Sequence, residues 1–131
     1  MPIYMLDTDS VSLALRGQGD VAERILDHRP SDICISSITL AELRYGAEKR
    51  KSQKLHALIT VFVDSVAVLL FDETASVEFG IVATALAQKG QPIGTFDTLL
   101  AAHALSLDLI FVSNNGRHFG RVPNLKIENW I

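Results

Sequence analysis

Cysteine is nearly absent from this chain. Cys34 is the only one, so no internal disulfide can staple the fold. Its neighbours Ile33 and Ile35 predict that it sits in a buried strand. The four histidines, His28, His56, His103 and His118, are scattered, with no HExxH or comparable ligand spacing, so zinc chemistry has no support. His103 lies among Ala101, Ala102 and Ala104 and is expected to pack inside a helix bundle rather than ligate a metal. No apolar run approaches the roughly 18–20 residues of a membrane helix, and the opening Met-Pro-Ile-Tyr-Met-Leu lacks the basic and long apolar regions of a secretory signal. Together these features predict a cytoplasmic protein with no membrane partner. An excess of positive charge is missing too: 12 Lys and Arg face 15 Asp and Glu, a formal net charge of −3. Proteins that bind nucleic acid over a whole surface are usually basic, so any such contact here must use local basic patches.

What is present is ordinary globular composition, 48% hydrophobic and 21% charged, in 131 residues, which predicts one domain spanning 1–131. Short apolar runs alternate with longer helical periods, the pattern of an α/β fold. The runs are Ile3–Leu6, Ile33–Ser36, Val66–Phe71, Leu109–Ser113 and a weaker Leu125–Ile127. They are bounded by polar residues, as buried parallel strands are. Two helices are expected between Asp9 and His28, and one from about Ile38 to Lys49. Leu55, Leu58, Ile59 and Phe62 mark another, as do Ala75, Phe79, Val82, Ala83 and Leu86, which follow the acids Asp72 and Glu73 and stop before Gly90 and Pro92. A last helix from about Thr95 to Leu107 is apolar nearly all round and predicts burial. The expected architecture is a three-layer α/β/α sandwich on a mostly parallel sheet.

Ligands of open parallel sheets bind beyond the carboxyl ends of the strands. Asp7, Thr8 and Asp9 directly follow the first run, and Ser113, Asn114 and Asn115 follow the fourth. Glu42 lies about one turn into the helix after the second run, and Asp97 lies in the first turn of the apolar helix. Each residue also has a purely structural reading. Asp7 or Asp9 could cap the next helix, and Thr39-Leu40-Ala41-Glu42 matches a capping box. Asp97 favours the positive end of its helix dipole, and Asn115-Gly116 suits a turn. If three carboxylates do converge, their repulsion is relieved by raised pKa values or by a cation among them. Oxygen donors without Cys or paired His favour magnesium or manganese.

Four stretches resemble one family. Tyr4-Met5-Leu6-Asp7-Thr8-Asp9 resembles the opening of PIN-domain nucleases, specifically the VapC-type toxin ribonucleases. Ile35-Ser36-Ser37-Ile38-Thr39-Leu40-Ala41-Glu42-Leu43, with Tyr45-Gly46-Ala47-Glu48-Lys49 after it, resembles their second block. Pro92-Ile93-Gly94-Thr95-Phe96-Asp97, continuing through Leu99-Leu100-Ala101-Ala102-His103-Ala104, resembles the third. Val112-Ser113-Asn114-Asn115, then Arg121-Val122-Pro123-Asn124-Leu125 and Glu128-Asn129-Trp130, resemble the fourth and the tail.

The resemblance implies a PIN-like fold and a metal-dependent endoribonuclease toxin of a type II toxin–antitoxin pair. Such an enzyme hydrolyses phosphodiester bonds in tRNA or another structured RNA, leaving a 5′-phosphate and a 3′-hydroxyl. Carried over by position, Asp7, Glu42 and Asp97 match the catalytic acids and would hold Mg²⁺, with Mn²⁺ as a substitute. Ser113, Asn115, Thr8 and Asp9 would stand just outside the direct ligands. Asn115 occupies a place where many PIN domains have a fourth acid. Asp9 stands where Asn is usual; it either restores some of that charge or caps the next helix, and the cap is the favoured reading. Arg117 and Arg121 are the expected RNA contacts, with Lys49, Arg50, Lys51 and Lys54 a further basic run. The family also implies a homodimer and a cognate VapB-type antitoxin. Two rival readings remain at this stage. Asp7-Thr8-Asp9-Ser10-Val11 fits the DxDx[TV] opening of aspartate-nucleophile phosphatases, and a silent PIN-like module could serve protein binding alone.

Overall fold

The computed structural model describes residues 1–131. Five parallel strands form one sheet: β1 (Tyr4–Leu6), β2 (Ile33–Ser36), β3 (Ala67–Leu69), β4 (Ile110–Val112) and β5 (Ile127–Glu128), in the order β3-β2-β1-β4-β5. Seven helices connect them: α1 (Thr8–Leu15), α2 (Val21–Leu26), α3 (Ser37–Lys49), α4 (Gln53–Ser65), α5 (Glu73–Gln88), α6 (Thr95–Ser106) and α7 (Gly116–Phe119). Side chains alternate across the sheet because successive strand residues point to opposite faces. Met5, Cys34 and Phe111 face one way, into a core with Val82 and Leu86 of α5 and Leu100 and Ala104 of α6. Leu6, Ile33, Ile35 and Val112 face the other, against Val11 of α1, Leu43 and Ala47 of α3, Ile59 of α4 and Trp130. Two cores on one sheet make the expected three-layer sandwich, and the sheet is wholly parallel.

Helix starts follow local chemistry. Asp7 caps α1, its Oδ1 accepting from the Ser10 amide at 2.8 Å. Ser36 caps α3, Ser52 caps α4 and Asp72 caps α5, each accepting at 3.0 Å. The orphan amides of a first turn favour such oxygen acceptors. Gly94 begins α6 at φ +97, a left-handed value that a side chain would strain, and its carbonyl accepts from Thr98. That turn fixes where Asp97 emerges.

The differences from the sequence expectation lie at element ends. The third strand is Ala67–Leu69 rather than Val66–Phe71, since flanking residues of an edge strand have a partner on one side only. The last strand is Ile127–Glu128, starting two residues and ending one residue later than Leu125–Ile127, because Asn124 turns the chain at φ +68 and Leu125 still bonds back to Val122. The four-residue α7 shows no hydrophobic period in the sequence; Asn115 starts it by accepting from the His118 amide at 3.4 Å. Cys34 is buried as expected, and burial pushes its thiol up to about 12.

The last stretch is held by aromatic packing. The Trp130 ring is buried, stacks on His28 at 4.6 Å and meets Tyr4 edge-on at 5.0 Å, while its indole N–H donates to Glu128 at 3.0 Å. Trp130→Ala is therefore expected to cost about 3–5 kcal/mol, the usual range for a buried aromatic, measured by urea denaturation. A loss below about 1 kcal/mol would show that this cluster does not hold the fold.

Candidate metal-dependent nuclease site

The chain runs outward from β1 through β2 to β3, then returns to lay β4 on the other side of β1. The crevice at this reversal is where open parallel sheets bind ligands. Asp7 follows β1 and Ser113 follows β4, and the Asp7 amide donates to the Val112 carbonyl at 2.9 Å. The topology therefore puts these two side chains at one point, though 106 positions separate them in the chain.

Asp7 is buried, and burial raises its carboxyl pKa above the ordinary value of 3.8. Hydrogen bonds from Ser10 and Ser113 act in the opposite sense, and repulsion from Asp9 adds to the rise. Asp97 is also raised, first by burial, then by the negative charges of Glu42, Asp7 and Asp9; His118 opposes this. The His118 Nδ1 stands 3.9 Å from the Asp97 Oδ2 and has no hydrogen-bond partner although it is buried. Glu42 receives the Thr8 hydroxyl at 2.6 Å, and the same hydroxyl lies 3.2 Å from that of Thr39. Asp97 of α6 is thus brought within electrostatic reach of both Glu42 on α3 and Asp7 after β1.

Two structural readings of these residues change. Asp7 is the cap of α1, and Asp9 is not: it lies exposed in the first turn without a capping bond. Ser36, not Thr39, caps α3, so Glu42 belongs to no capping box. Ala41 and Tyr45 are exposed, and Glu42 lines a cleft with them. The core face of α3 is carried by Leu43 and Ala47 instead.

Ser113 is buried and accepts from the Asn115 amide at 3.0 Å, which orders the turn after β4. Asn115 spends its side chain on capping α7. Arg117 is exposed on α7 beside His118, whereas Arg121 donates to the Pro92 carbonyl at 3.3 Å and braces the loop before α6. His103 is buried, bonded to the Ser36 hydroxyl at 2.8 Å and edge-on to Phe71. Burial lowers its pKa, as befits a neutral packing residue. His118 is the site residue that sequence reasoning passed over. Its only signal was spacing: it stands three positions after Asn115, one helical turn further on.

The donor set suits a hard divalent cation. It consists of carboxylate oxygens, two of them held against burial and mutual repulsion, with hydroxyls beside them. As the side chains stand, no three acidic, histidine or cysteine groups close into a cage. Asp97 is nevertheless coupled through space to Glu42 and Asp7. The phosphatase reading lacks its lysine, since the clefts lined by Thr8 and Glu42 include Arg50 as their only cation.

The chain has relatives among known nucleases. Residues 4–125 match the PIN domain family. The chain is 38% identical over 128 residues to the tRNA(fMet)-specific endonuclease VapC of Salmonella typhimurium, spanning 97% of each protein. It is 37% identical over 131 residues to Ribonuclease VapC2 of Rickettsia felis, spanning 98% of each. Among solved structures, VapBC2 of Rickettsia felis bound to a promoter DNA fragment contains a chain that superposes with a TM-score of 0.91 at 34% identity, over 98% of this chain and 99% of that one. DNA-bound VapBC of Salmonella typhimurium gives 0.87 at 38% identity over the whole of both chains. The silent-module and phosphatase alternatives have no counterpart among these relatives. This chain belongs to the PIN-domain family and, within it, to the VapC ribonucleases.

Proposed function

We propose that the chain, acting as one PIN unit over 1–131, is a Mg²⁺-dependent endoribonuclease toxin whose catalytic acids are Asp7, Glu42 and Asp97. The observation that carries this reading is the coupling of Asp97 to Glu42 and Asp7 in one crevice, where burial leaves their charge uncompensated. Asp7 and Asp97 would hold the cation, with Glu42 beside them. A cation there would neutralise charge on the phosphate and lower the pKa of an attacking water. Thr8 fixes one oxygen of Glu42 and leaves the other free to orient that water. Ser113 steadies Asp7, and Asn115 holds the turn that carries Ser113 and His118. The imidazole of His118, beside Asp97, can steady that carboxylate or the departing oxygen.

The name of the Salmonella relative supports tRNA as substrate, and the VapBC complexes support a VapB-type antitoxin partner and a toxin–antitoxin hetero-oligomer; the toxin homodimer rests on the family resemblance alone. No helix is long and apolar enough to cross a membrane, and cytoplasmic RNA is the matching target. Phosphate contacts fall to exposed cations. Arg117 stands next to the site, and Arg50 lines the narrow cleft shared with Thr8, Asp9 and Glu42. Arg16, Arg50 and Lys54 rim an adjoining pocket of about 440 Å³, and none of the three has an acidic partner.

The direct test is cleavage of a mixed tRNA pool with added Mg²⁺, wild type against Asp97→Asn prepared identically. Loss of partners outside the direct ligands typically costs 10–100-fold, so Asp97→Asn and Asp7→Asn should each lower cleavage by more than roughly 100-fold. Equal cutting by wild type and variant would remove these acids from the mechanism. Stability gives an independent check. Because the folded state raises both aspartates, it binds protons more tightly than the unfolded chain. Their contribution is therefore fully present below about pH 4 and is lost as pH rises through the raised values. In metal-free buffer Asp97→Asn should flatten that fall, and Mg²⁺ should raise the melting temperature of wild type at pH 7 but not of the variant. Arg117→Ala should weaken RNA binding and reduce the slope of log affinity against log salt by about 1; an unchanged slope would exclude Arg117 from phosphate contact.

A further inference from the structure

The chain has nine aromatic residues, and seven of them are at least partly buried. The two exposed rings are Tyr45, 68% exposed, and Phe96, 56% exposed. Both line one cleft of about 540 Å³, together with Thr8, Ala41 and Glu42. Tyr45 lies three positions after Glu42 on α3, about one turn on, and Phe96 directly precedes Asp97 on α6. Each ring is thus borne by the same helix as one of the site's acids. Leaving two large rings in water is unfavourable by the area they expose, and neither contributes to the two cores. The Lys49 ammonium stands 5.9 Å from the centre of the Tyr45 ring, so a positive charge flanks the cleft on that side.

We propose that Tyr45 and Phe96 form a stacking platform for the nucleobase beside the scissile phosphate, so that the RNA must be unpaired where it is cut. The proposal rests on the assignment of Glu42 and Asp97 to the nuclease site. A phosphate held at those acids places its adjoining nucleoside a few ångströms away, and the cleft that contains Glu42 is bounded by flat apolar faces. A nucleobase fits such a boundary because its faces stack on aromatic rings while its polar edge stays toward the open, solvated side of the cleft. Paired bases inside an A-form helix cannot reach the rings, since their faces are covered by neighbouring pairs. Lys49, at the Tyr45 side, suits the next phosphate along the strand. The cleft consequently selects loops, single strands and flipped nucleotides, and selects any base with a π-face.

The test reads binding in the full chain, free of antitoxin and carrying Asp97→Asn so that the strand stays intact. Fluorescence anisotropy would follow a labelled oligoadenylate of about 12 nucleotides, the same strand annealed to oligouridylate, and a matched abasic ribose-phosphate strand. Tyr45→Ala and Phe96→Ala should each weaken binding of the single strand by roughly 5- to 100-fold. Tyr45→Trp should restore it, and the abasic strand should bind all variants alike. The duplex should bind weakly with or without the rings. Overturning results are an unchanged affinity of Tyr45→Ala for oligoadenylate, or an equal loss on the abasic strand, which would indicate a general surface change. Intact RNA binding in both alanine variants with weakened antitoxin capture would also overturn it, assigning the rings to the partner protein. If wild type failed to cut tRNA but oligoadenylate binding still depended on the rings, the nuclease assignment would fall and the platform would stand.

Discussion

A carboxylate buried at the junction of β1 and β4 is the constraint from which the rest of the site follows. Asp7 lies where a strand ends and a helix begins, and its side chain serves the backbone and the site at once. One oxygen satisfies the Ser10 amide. The remaining charge stays in a place that water scarcely reaches, steadied by Ser10 and Ser113. Any further acid brought to that crevice is repelled, and the fold brings Glu42 and Asp97. Such an arrangement costs stability unless something positive is shared. The helices hold it in place because each acid sits on an element anchored by apolar burial elsewhere: Val11 for α1, Leu43 and Ala47 for α3, Leu100 and Ala104 for α6.

Charge is sorted across the surface. The acids converge on the crevice, while Arg16, Arg50 and Lys54 gather around the neighbouring pocket and Arg117 is exposed on α7. This explains how a chain of net charge −3 can work on a polyanion. A polyanion is drawn in by local fields on the scale of a Debye length, about 8 Å at physiological salt, rather than by the total. Leu15, Arg50 and Leu55 line both the basic pocket and the acidic cleft, and Arg50 is the one charged residue among them, which makes it the natural hinge between the two fields.

The fold was legible in the sequence wherever burial sets a period. β1, β2 and β4 read as short apolar runs because both faces of a central strand are covered, and α5 and α6 read as long apolar stripes. Ends were less legible: β5 is two residues long, and a left-handed Asn124 sets its start. The acids were legible through their positions after strands, but their local roles were not. A cap depends on φ and ψ, which residue type only biases, so Ser36 and Asp7 took caps that Thr39 and Asp9 equally suited in the sequence. His118 was hidden because its significance lies in a 3.9 Å approach to a residue 21 positions away. Tyr45 and Phe96 were hidden for a related reason, since exposure of an aromatic ring is a property of the folded surface and not of spacing.

The order of the strands also sets when the molecule can become dangerous. β1 is made first, yet its partner on one side, β4, ends at Val112, and the crevice between them does not exist until that strand arrives. Asp7, Glu42, Asp97 and Ser113 are spread over nearly the full length of the chain. Contacts so distant in sequence close late, after the entropy of a long loop has been overcome. The crevice that gathers these side chains therefore cannot close before β4 has paired with β1. The topology thus makes the assembly of the site one of the last events of folding rather than one of the first.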